Sequence, residues 1–72
     1  MVGAADNYLA LERRIQLAEL RWHWGEAYAI AWTGAFRAVR RDSGSVLTAG
    51  SAEGLRMLIR ADYGHRPVPR RS

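Results

Sequence analysis

The sequence contains no cysteine and no lysine, only two prolines, and no run of about 18 consecutive apolar residues. Without cysteine there is neither a disulfide framework nor a thiolate metal site, and two histidines as far apart as His23 and His65 do not make a structural zinc centre. No segment has the length and apolarity of a transmembrane helix, and Met1 to Ala5 show no basic stretch leading into an apolar one. A cytoplasmic protein without membrane contact is therefore expected. The missing lysine means that all eleven cations are arginine, which beside abundant alanine and glycine looks like the coding bias of a high-GC genome.

What is present is a chain of 72 residues. A chain of that size buries only about 60% of the surface its unfolded form exposes. Its own core is expected to be marginal, and with no staple available, burial against a partner is the remaining route to stability. The net charge of +4 invites a nucleic-acid reading, because clustered cations release counterions from phosphates. Its distribution weakens that reading. Arg66, Arg70 and Arg71 lie in the last seven residues, where there is no acid, so residues 1–65 hold eight arginines against seven acids and are nearly neutral.

Asp6 can cap a helix beginning at Asn7 or Tyr8, and the segment through Trp24 is rich in good helix formers before Gly25 stops it. At about 100° per residue, Tyr8, Leu11, Ile15, Ala18 and Trp22 fall in one arc, and Leu9, Leu17, Leu20 and Trp24 fall in the opposite one, interrupted by Arg13. Glu12, Gln16, Glu19 and His23 make an acidic seam between the arcs; Arg14 and Arg21 make a basic seam across from it. A helix covering one side of a sheet needs one apolar stripe, so the second stripe needs another surface.

After Gly25 the period changes to two. Tyr28, Ile30 and Trp32 alternate with alanines, Thr33-Gly34 turns the chain into Phe36–Arg41, and Asp42-Ser43-Gly44 turns it again into Val46–Ala49. Ser51 then caps a second helix running to about Tyr63, with Leu55, Leu58, Ile59 and Tyr63 on one face and Gly64 and Pro67 marking its end. The fold class expected is α+β: a long N-terminal helix, a three-stranded antiparallel meander and a C-terminal helix. Residues 1–65 form one domain, and residues 66–72 read as a disordered basic tail.

No nucleophile, metal set or close acid pair can be assembled from these residue types. His23 and His65 lack a partner at a recognisable spacing, and Glu12 and Glu19 lie about two helical turns apart, too far to share a proton. Gly50-Ser51-Ala52-Glu53-Gly54 lacks the lysine and spacing of a phosphate-binding loop. No enzyme, no cofactor, no metal and no small-molecule substrate are expected. Three tryptophans, each burying about 150–250 Å², are a heavy load for so short a chain: either all three are core, or Trp24, with Leu17 and Leu20, lies in an interface.

From Trp24-Gly25 to Tyr63, through Tyr28, Ile30, Gly34-Ala35-Phe36-Arg37-Ala38, Arg40-Arg41-Asp42, Leu47-Thr48-Ala49, Leu55-Arg56 and Ile59-Arg60-Ala61-Asp62-Tyr63, the chain resembles a loose group of small, mostly uncharacterised proteins of high-GC Gram-positive bacteria. That resemblance implies no activity. The strand–strand–strand–helix half, from Leu47-Thr48-Ala49 into the Leu-Ile face ending at Ile59, also looks like the partial ribonuclease fold of HicB-type antitoxins. The likeness is one of architecture, because their acidic, proline-containing segment is missing here. The serine-x-tryptophan-proline signature of MbtH-like proteins and the lysine cluster of double-stranded RNA-binding domains are missing too.

The function expected is a non-catalytic protein-interaction module, a homodimer or a small regulatory subunit, with Leu9, Leu17, Leu20 and Trp24 as anchors on its partner. The alternative is a small DNA-binding regulator using Arg37, Arg40 and Arg41 of the sheet with Arg70 and Arg71 of the tail.

Overall fold

The structure, a computed structural model, describes residues 4–67, with side chains from Tyr8 onward. Its element order is α1 (Ala4–Trp24), β1 (Tyr28–Trp32), β2 (Phe36–Arg40), β3 (Val46–Ala49) and α2 (Ala52–His65). This is the expected α+β order of helix, antiparallel meander and helix. Residues 68–72, with Arg70 and Arg71, lie outside the described residues.

The sheet order is β1-β2-β3, with Ile30 opposite Ala38 and Ala38 opposite Leu47. Because side chains alternate across a strand, this register gathers Tyr28, Ile30, Trp32, Phe36, Ala38, Arg40, Leu47 and Ala49 on one face. Both helices lie on that face: α2 over β2 and β3, α1 against β1 and α2. The core between them is Leu17, Leu20, Ala27, Tyr28, Ile30, Phe36, Ala38, Leu55 and Ile59. The other face carries Ala29, Ala31, Arg37, Val39, Val46 and Thr48, too small and too polar to hold a second layer.

The turns follow from local chemistry. Gly34, between β1 and β2, has φ +87°, and Gly44, between β2 and β3, has φ +78°, a region that residues with a Cβ seldom occupy. Gly25 ends α1 for another reason: its N–H bonds the Arg21 carbonyl at 2.8 Å, and an added Cβ would stand 2.3 Å from that oxygen.

The bounds of both helices differ from the sequence reading. The first helix begins at Ala4, so Asp6 sits within its first turn instead of capping it; alanine extends a helix readily, and an acid is favourable near a helix N-terminus. The second helix is capped by Ser51, whose hydroxyl accepts from the Gly54 N–H at 3.0 Å, but it runs through Gly64 to His65. It stops where Pro67 forces Arg66 out of helical geometry, at φ −140° and ψ 86°.

Candidate interaction surface

The inner face of α1 is built from Leu17 and Leu20, both buried, and from Trp24, whose ring lies 5.4 Å from that of Tyr63 on α2. Two polar groups fix its lateral position on β1. The Arg21 Nε donates to the Ile30 carbonyl at 2.8 Å, and the Arg13 guanidinium lies 4.0 Å above the Trp32 ring. The arginine interrupting the inner arc is thus accommodated by a cation–π contact.

This placement corrects the assignment of anchors. Leu17 and Leu20 are buried by the chain's own sheet and second helix, and Trp24 is half-buried, packed on Tyr63 at the groove between the helices, so the inner arc is taken up by the chain's own fold; of the four, Leu9 alone is exposed. The reason is geometric. A helix of 21 residues is about 31 Å long, whereas a five-residue strand spans about 17 Å. The first turns of α1 therefore overhang the sheet, and every side chain from Tyr8 to Glu12 is exposed.

The opposite arc is the one left uncovered. Tyr8 is 66% exposed, Leu11 55%, Ile15 52% and Trp22 86%, with Ala18 exposed between them. Beside a core of nine buried residues among those described, four large apolar side chains aligned in solvent form a patch of the size that is often a contact surface. The sequence carried a signal for it: this arc is unbroken by charge and is bordered by acids on one side and arginines on the other.

Among the described residues, Arg40 is the one charged residue in the core. Its Nε and Nη2 donate to Asp42 at 2.7 and 3.2 Å, and its Nη1 donates to Asp62 at 2.9 Å; the Tyr28 hydroxyl donates to the same Asp62 oxygen. Burial, and then the bond to Asp62, push the Tyr28 hydroxyl up to about 12. The Tyr28 hydrogen bond, then the Arg40 guanidinium, hold Asp62 below the usual carboxylate range, and Arg40 does the same to Asp42. The cluster ties the last turns of α2 to β1 and β2. It keeps the phenol neutral, so nothing in it is poised to give up a proton.

That cluster also separates the arginines grouped for DNA contact. Arg40 is locked on the covered face, Arg37 stands on the open face, and Arg41 donates its Nε to the Gly25 carbonyl at 2.9 Å. The three do not form one surface. Between the helices lies a groove of about 340 Å³ where Glu19 and His23 of α1 face Glu53, Arg56 and Arg60 of α2, with Glu53 and Arg56 paired to each other. Both charge signs line it. His65, at the end of α2, is exposed and takes no part in it. No group of three histidine, aspartate or glutamate side chains able to hold a metal occurs among the described residues, and no helix among them is long and apolar enough to cross a membrane. Compared with family models, curated proteins and solved structures, the chain matches none.

Proposed function

We propose that this chain is a non-catalytic protein-interaction module, acting as a homodimer or as a small regulatory subunit, and that its contact surface is the outer stripe of α1. The observation that carries this is the exposure of Tyr8, Leu11, Ile15 and Trp22 on a helix whose inner face already holds the fold together. Aromatic side chains on a rigid element make effective anchors, because little conformational freedom remains to be lost on binding. A cytoplasmic location belongs to the same reading.

The test is the molar mass in solution of the native chain and of an Ile15→Glu/Trp22→Glu variant. The native chain is expected near twice 8.1 kDa at high protein concentration and at high salt, and the variant at 8.1 kDa with unchanged circular dichroism. A native monomer at every concentration would leave only the regulatory-subunit form of the reading, and a dimer indifferent to the double substitution would count against the outer stripe as the contact surface. DNA binding is the weaker alternative, because Arg40 is committed to two carboxylates and leaves Arg37 alone on the open sheet face.

A further inference from the structure

The outer stripe has a finer pattern than an apolar patch requires. Its members fall at 8, 11, 15, 18 and 22, alternating steps of three and four, which is the spacing of heptad positions a and d. Tyr8, Ile15 and Trp22 occupy a; Leu11 and Ala18 occupy d. Position e then holds Glu12 and Glu19, and position g holds Arg14 and Arg21.

We infer that the occupant of this stripe is a second copy of the same chain, with the two α1 helices parallel and in register, and with Arg14 of each copy paired to Glu19 of the other. Charge decides the orientation. In a parallel pair the g position of one helix faces the e position of the next heptad on its partner, so arginine meets glutamate on both sides. In an antiparallel pair of identical helices, e faces e and g faces g, which sets glutamate against glutamate and arginine against arginine.

Three further observations agree. Among the described residues, Arg14 takes part in no ion pair and Glu19 makes none by direct contact, its charge being felt by Arg56 across the groove between the helices, whereas Arg21, whose e partner would fall at residue 26 beyond the end of α1, is bound within the chain to the Ile30 carbonyl. The inner face lies roughly 180° from the stripe at 100° per residue, so two copies meet with their sheets on opposite outer flanks. The one step of the stripe made by a β-branched residue at a, Ile15, beside leucine at d, Leu11, is the combination found in two-stranded parallel coils.

The size of the surface bounds the class of interface it can make. The four exposed side chains offer on the order of 500 Å² per copy, or about 1,000 Å² across two copies, the lower bound for a specific interface. An interface at that bound belongs to the weak, transient class, so a reversible, concentration-dependent dimer is expected. The helix is held on its own sheet before association, so the pairing does not have to supply the cost of nucleating it.

The inference rests on the outer stripe being the contact surface, and two experiments separate its failure from the failure of that reading. The native chain has no cysteine, so Ala18→Cys at an exposed d position introduces one thiol per copy. Under mild oxidation at dimer-forming concentration, a covalent dimer is expected, because like d positions face one another only in the parallel register. A dimer that Ile15→Glu/Trp22→Glu abolishes, but in which Ala18→Cys does not cross-link, overturns the parallel arrangement and leaves the stripe as the contact.

The second experiment is Arg14→Glu. At low salt it is expected to weaken the dimer about tenfold, with affinity restored by adding Glu19→Arg. Tighter association of a neutral variant, Arg14→Gln, would overturn the inference, since neutralising the cation at g relieves repulsion only in an antiparallel pair. A chain that stays monomeric to about millimolar concentration overturns the second copy as occupant.

Discussion

At the scale of single residues, the buried charge of Arg40 and its partners governs how the protein responds to pH. The folded values of Asp42 and Asp62 are depressed below 3.8, so the unfolded chain binds protons more readily as acid is added. Their contribution is fully present above the unfolded value and is lost as pH falls through the depressed one, so acid unfolding is expected below about pH 4. Tyr28 has the opposite sign. Its folded value is raised from 10.0 to about 12, so its contribution is present below pH 10 and is lost between 10 and about 12. Chemical denaturation across pH checks both arms. Tyr28→Phe is expected to lower stability by about 1 kcal/mol at pH 7, the usual net value of one hydrogen bond, and to remove this residue's part of the alkaline loss. The alternation of β2 shows in the sequence that Arg40 shares a face with Phe36 and Ala38. It does not show that Asp62, 22 positions later, would return to neutralise it, and so the three arginines read as one patch.

At the scale of elements, the two faces of α1 make opposite predictions. Leu17→Glu with Leu20→Glu places two charges in the core and is expected to unfold the chain, whereas Ile15→Glu with Trp22→Glu changes exposed positions and is expected to leave monomer stability within about 0.5 kcal/mol. Thermal melts of the two variants at high dilution separate them. Ser51→Ala removes the acceptor for the Gly54 N–H and is expected to cost about 1 kcal/mol, read by urea denaturation. The overhanging turns of α1 supply another measurement. Amides from Tyr8 to Glu12 are expected to exchange fast in dilute protein, having no tertiary cover, and to gain protection as concentration rises.

At the scale of the whole molecule, a small core and a large exposed stripe couple stability to concentration. If the native chain associates through α1, its melting temperature is expected to rise by roughly 3–5 °C for each tenfold increase in concentration above the dissociation constant. Ile15→Glu/Trp22→Glu is expected to melt at a temperature independent of concentration. The fluorescence of Trp22, 86% exposed in the single chain, is expected to shift to the blue over the same range as the ring leaves water.

Helix, strand and turn positions were legible because they depend on neighbours in the sequence: the change from a period near 3.6 to a period of two at Gly25, the glycines at 34 and 44, and the serine before Ala52. The two opposed arcs of α1 were legible for the same reason. Which arc faced inward was not, because periodicity sets the angle of a side chain around its helix but not the side on which the rest of the chain returns. That side is set where the chain leaves Trp24 through Gly25 and lays β1 and α2 against Leu17, Leu20 and Trp24. Only the tertiary structure could make that choice, and it left Tyr8, Leu11, Ile15 and Trp22 facing solvent.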